Sequence, residues 1–195
     1  MTFTKRLKFW AARMRREEDG ATSVEFVMMA PLLAWAFLST VTYFHAYRSE
    51  AISQKASLTI ADMISREADF ITPDYITGAH ELLKFLTIED ANPDLRITAV
   101  RYNANNGKYR RVWSQERGPR SGLSHSGVDA LAGQLPVMTH NERAIIVETW
   151  TEYEAPRNVG LNDFDMKTFT VISPRFVDRI CYSATPDAAD PNEKC

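Results

Sequence analysis

The apolar positions of this chain fall into two regimes that meet near residue 48. From Phe26 to Phe44 run 19 residues without a formal charge, FVMMAPLLAWAFLSTVTYF. As a helix this run would be about 28 Å long, close to the hydrocarbon thickness of a bilayer. Apolar on every face, it predicts one membrane-spanning helix, and Tyr43, His45, Tyr47 and Arg48 supply the aromatics and the charge of an outer interface. Pro31 removes a hydrogen bond inside the run, so a kink or a loosened turn is expected there. Beyond the run the pattern becomes amphipathic: from about residue 46 to 69, Ile52, Ala56, Ile60, Met63 and Ile64 recur at helical spacing with no Gly or Pro between. The membrane helix should therefore continue into a folded domain, with its apolar stripe covered by a sheet.

That sheet is written in the second half. Leu95 to Tyr102 and Tyr109 to Gln115 read as strands around Asn105-Asn106-Gly107, where Asn-Gly signals a type I′ hairpin turn. Ala144 to Tyr153 and Lys167 to Ile172 are β-branched and aromatic runs that should pair with each other. Before them, Thr72-Pro73 predicts a helix start, with Thr as cap and Pro in the first helical position, and the helix runs to about Thr87. The Gly118 to Gly127 segment reads as a loop, with a short helix over Val128 to Leu135. The fold class is α+β, with an antiparallel sheet of about four strands.

Charge adds an orientation. Residues 1 to 19 carry Lys5, Arg6, Lys8, Arg13, Arg15 and Arg16 against Glu17, Glu18 and Asp19, a local charge of +3 in a chain of net charge -2. Basic residues beside a span hold that end in the cytoplasm. Phe9, Trp10 and Met14 are placed to lie on the bilayer surface among them. Four segments follow: a basic cytoplasmic leader (1–20), a transmembrane helix (21–47), an outer α+β domain (48–184) and a polar C-terminal tail (185–195). The net charge makes no case for nucleic acid as a partner. The two cysteines, Cys181 and Cys195, suit one terminal loop. In an oxidising compartment a bridge across about 15 residues would contribute on the order of 3 kcal/mol, the alternative being two unrelated surface thiols.

Catalytic patterns are missing from the outer segment. His45, His80, His125 and His140 fall in no metal-binding spacing, and there is no nucleophile elbow or phosphate loop. Ser124-His125-Ser126 reads as loop, Asp163 with Asp165 as a solvated pair rather than a cation site, and Arg110, Arg111, Arg117 and Arg120 as a charged strand edge. No metal, cofactor or enzymatic activity is expected.

Attention returns to the head of the apolar run. Glu25 stands next to Phe26, where a membrane-embedded charge is by default functional. Headgroup placement would account for the charge but not for the glycine and small residues before it. The sequence Gly20-Ala21-Thr22-Ser23-Val24-Glu25-Phe26, followed by Ala30-Pro31-Leu32-Leu33, resembles the TadE/TadG-like family of prepilin-like proteins of bacterial tight-adherence (Flp-type, type IVb) pilus systems. The resemblance covers about residues 13 to 48. It implies a pilin-like fold, a single pass through the bacterial inner membrane and a periplasmic outer domain. It also implies a prepilin peptidase that cuts between Gly20 and Ala21, so that Glu25 becomes the fifth residue of the mature chain and its carboxylate pairs with the new α-amino group of Ala21 as an assembly contact. The implied partners are membrane lipid, that peptidase, other pilins or pseudopilins and the pilus assembly platform. The chain is too short for TadG-type members with an added von Willebrand-like domain, and it has no D-x-S-x-S metal motif. Two rivals stand beside this reading: an uncleaved, signal-anchored sensor or binding module, and a secreted enzyme released after Ala36 of Ala34-Trp35-Ala36, which would need a convergent polar site.

Overall fold

The computed structural model describes residues 19–87, 92–155, 160–185 and 194–195. Most of the basic leader and of the polar tail, including Phe9, Trp10 and Met14, lie outside the described residues. Two compact units are present, one holding the chain through His45 together with 156–161, the other holding Ala46–Ala155 and Asn162–Cys195.

One helix, α1, spans Asp19–Ser65 and remains helical through Pro31. Within the second unit its buried stripe is Ala46, Ser49, Ser53, Ala56, Ser57, Ile60, Ala61 and Ile64. This corrects the sequence expectation: Ile52 and Met63 are only half-buried, and three serines occupy the N-terminal part of the stripe. Burying serine hydroxyls costs free energy unless they are hydrogen-bonded, and Ser57 is paired with Thr170 at 3.2 Å. The α1 carbonyl of Ser65 accepts the Arg175 amide at 2.8 Å, which satisfies one of the terminal carbonyls the helix leaves open.

Helix α2, Pro73–Leu86, starts as its sequence predicts: Thr72 Oγ1 accepts the Tyr75 amide at 3.2 Å, with Pro73 in the first turn. Its Ile76, Ala79 and Leu83 are buried in the same core as Ile60 and Ile64 of α1.

Strands β1 (Asp94–Asn103), β2 (Lys108–Arg117), β3 (Arg143–Tyr153) and β4 (Phe164–Ile172) form one antiparallel sheet in the order β2-β1-β3-β4. The α+β class with an antiparallel four-stranded sheet is thus observed. The β1–β2 hairpin forms, but its turn is not type I′. Asn103 pairs with Lys108, leaving a longer loop in which Gly107 alone has positive φ, at 65°, whereas type I′ needs positive φ at both central residues. Asn side chains replace that geometry: Asn103 Oδ1 accepts the Asn105 amide at 3.0 Å and Asn106 Oδ1 the Lys108 amide at 3.1 Å.

Because side chains alternate across a strand, the sheet has two distinct faces. Leu95, Ile97, Ala99, Trp113, Ile145 and Val147 meet α1 and α2. Val100, Tyr109, Ala144 and Ile146 meet Leu123, Val128 and Leu135 on the other side. The cover there is α3, His125–Leu131, running into a 3-10 turn, Ala132–Gln134. This helix begins inside the segment expected to be loop, because Ser124 caps it by accepting the Gly127 amide at 3.1 Å.

The end of the chain is tied back across the helix face. Ile71 exchanges backbone hydrogen bonds with Cys181 and Ser183, Tyr182 does so with Lys194, and Cys181 and Cys195 are joined by a disulfide. Trp113 Nε1 donates to the Ile180 carbonyl at 2.9 Å, fixing the segment over the core.

Candidate functional site: an apolar helix headed by one carboxylate

In the first unit α1 presents apolar side chains to every side. Thirteen large ones between Val24 and Phe44 are exposed, among them Phe26, Met28, Leu32, Trp35, Phe37 and Phe44. The polar groups inside the run are masked locally. Thr40 Oγ1 donates to the Ala36 carbonyl at 2.8 Å and Thr42 Oγ1 to the Leu38 carbonyl at 2.9 Å, so neither hydroxyl needs water. Transferring thirteen such side chains from water to an apolar medium is favourable by on the order of 20–30 kcal/mol at about 2 kcal/mol each. A helix apolar all round is stable only where something apolar surrounds it. Among the described residues it is the one helix long and apolar enough to cross a membrane.

Glu25 is exposed and sits at the start of this surface, one residue before Phe26. Gly20 and Ala21 lie in the first turn of α1.

The second unit contains a polar centre that the sequence reading passed over. Glu148 is fully buried in the middle of β3. Register places it directly opposite Arg96, whose Nε and Nη2 reach Glu148 Oε2 at 2.7 and 2.6 Å. The ammonium of Lys167 lies 3.2 Å from Oε1. Trp150, two residues along the same face, is approached by Arg120 at 4.7 Å, Arg96 at 4.9 Å and Lys167 at 5.5 Å from its ring centre. Arg120 in turn bridges Asp94 at 3.1 Å and Asp165 at 2.8 Å. Alternation was the available signal, because Glu148 is the sole charge inside AIIVETW. Each carboxylate here faces a cation, so the cluster has the form of a structural ion network.

The remaining candidates are dispersed. Arg111 donates to the Leu123 carbonyl, Arg117 to Pro73 and Thr77, and Arg120 to its two aspartates, so the expected basic edge does not exist as a unit. Asp163 accepts the Ala155 amide, apart from the Asp165–Arg120 pair. His80 is buried with Nε2 2.7 Å from the Pro93 carbonyl, and His140 Nδ1 accepts the Ala104 amide. No group of three or more His, Cys, Asp or Glu suited to a metal occurs among the described residues. Burial, with the Glu67 carboxylate nearby, pushes the Tyr75 phenol up to about 12.

Comparison with models of protein families, with curated proteins and with solved structures gives no match.

Proposed function

We propose that this chain is a minor pseudopilin of a tight-adherence, Flp-type pilus system, a single-pass inner-membrane protein with a cytoplasmic N-terminus and a periplasmic pilin-like domain. The observation that carries the reading is the all-round apolar exposure of α1 between Val24 and Phe44, headed by Glu25 five residues after Gly20. A prepilin peptidase cuts between Gly20 and Ala21. Glu25 then neutralises the new α-amino group of Ala21, its own or a neighbour's, where either charge alone is unfavourable in lipid. The protein acts by assembly and catalyses nothing. Its α1 is one helix from Asp19 to Ser65.

Mapping the N-terminus by intact mass after co-expression with the cognate peptidase tests this. The expected product begins at Ala21, and Gly20→Ala prevents its formation. An unchanged N-terminus in both cases rejects the maturation and leaves the signal-anchored sensor; a product beginning at Phe37 identifies a secreted protein instead.

A further inference from the structure

One end of the sheet collects a row of arginines, of which Arg143 alone is engaged by the described residues. Register sets Arg110 opposite Arg101 and Arg101 opposite Arg143, so the three stand side by side on adjacent strands β2, β1 and β3. Neighbouring strands are about 4.8 Å apart, so the row spans about 10 Å. Like charges directly opposite one another are destabilising, so the row calls for something that offsets its repulsion. Arg101, Arg110 and nearby Arg179 have no partner among the described residues, whereas Arg111 and Arg117 on the same hairpin and Arg120 just beyond it are all engaged. Arg143 is held below the usual arginine range by partial burial and then by repulsion from Arg179 and Arg101. The local field is therefore positive.

Three features narrow the ligand. First, the group seated on Arg143 is the main-chain oxygen of Cys195, from a segment that pairs in extended form with Tyr182. An oxygen acceptor already fits. Second, a groove of about 670 Å³ opens beside Arg143, between the Thr139–Glu142 turn and the Ser173–Asp178 segment, with exposed Phe176 in its wall. It offers room for an extended backbone and an apolar contact for one side chain. Third, Tyr102 and Tyr109 pack with the opposite face of the sheet, so the row itself has no platform for stacking successive bases. Glu142 in the groove is occupied by the Thr139 amide, Arg175 is paired with Asp62, and Asp178 on the rim limits where a carboxylate can approach.

We propose that the row Arg110–Arg101–Arg143, extended by Arg179, binds side-chain carboxylates of an acidic peptide segment of another protein. Planar guanidinium forks match carboxylates two bonds at a time, which explains arginine rather than lysine at all four positions.

The test uses the full chain in detergent micelles and a fluorescein-labelled hexaglutamate peptide, with binding read by anisotropy at about 50 and about 300 mM salt. The peptide is expected to bind at the lower salt. The double variant Arg101→Gln, Arg110→Gln should weaken it by about tenfold or more, while Lys84→Gln, a cation outside the row, changes it by less than about twofold. An unchanged thermal midpoint for each variant certifies folding. Equal binding by the double variant overturns the proposal. So does tighter binding of an oligonucleotide or of anionic lipid vesicles than of the peptide, lost in the same variant. Binding that emerges only after Asp187→Asn, Asp190→Asn and Glu193→Gln would make the row a contact for the chain's own acidic residues and likewise overturn it.

Discussion

Truncating Glu148 should be the most damaging single change in the second unit. Its carboxylate is fully buried and accepts two guanidinium hydrogen bonds from Arg96 through Oε2, at 2.7 and 2.6 Å. Glu148→Ala leaves Arg96, whose side chain is 15% exposed, with only the Ser121 carbonyl at 3.1 Å and the face of Trp150. Removing one member of a buried pair costs about 3–5 kcal/mol, mostly as the uncompensated charge left behind. For a domain of this size that lowers the midpoint of thermal unfolding by about 10 °C. Lys167 is 44% exposed, and Arg96 still neutralises Glu148 without it, so Lys167→Ala costs about 1 kcal/mol or less. The double variant Arg96→Met, Glu148→Leu removes both buried charges and should lose far less than the sum of the two truncations. Urea unfolding of the full chain in micelles reports this through Trp113 and Trp150, with Trp10 and Trp35 replaced by Phe. A Glu148→Ala cost below about 1 kcal/mol, or strict additivity in the double variant, would refute the assignment of a desolvated ion pair.

Two hydroxyls at the helix–sheet seam should respond with opposite sign. Thr151 Oγ1 is buried without a hydrogen-bond partner among the described residues, so Thr151→Val is neutral or stabilising by about 1 kcal/mol, whereas Ser57→Ala loses the 3.2 Å bond to Thr170 and costs about 1 kcal/mol in the same urea experiment. Gly118 has φ of 113°, and a methyl group there would stand 2.1 Å from Asp94 Oδ1. Gly118→Ala should therefore cost about 1–3 kcal/mol and release Arg120 from Asp94, measurable as loss of coupling in an Asp94, Arg120 double-mutant cycle. The Tyr75 phenol ionises near 12 in the fold against 10 ordinarily. Above pH 10 the unfolded chain loses this proton first, so stability falls between pH 10 and 12. Tyr75→Phe should reduce that slope in alkaline titration, with Tyr109 and Tyr153, raised by burial in the same direction, retaining the rest.

What could be read without coordinates was local. The apolar run, the Thr72-Pro73 helix start and the four strand segments rest on patterns a few residues long, and each element appears where its pattern lies. Two expectations failed locally. The Asn106-Gly107 turn adopted a longer form because neighbouring Asn side chains cap it, and Ser124 opened a helix inside a segment whose glycines suggested loop. The α1 stripe holds Ser49, Ser53 and Ser57 rather than Ile52, and Ser57 is hydrogen-bonded to Thr170 of β4 at 3.2 Å.

Sequence alone determined the features that depend on chain neighbours: a helix of bilayer length, the carboxylate of Glu25 at its head, and the small residues around Gly20. Only the tertiary structure decided which charges meet. Arg96 lies 52 positions from Glu148, and Arg101, Arg110 and Arg143 come from three strands. Strand register brings such residues together, and register follows from how both faces of the whole sheet are buried.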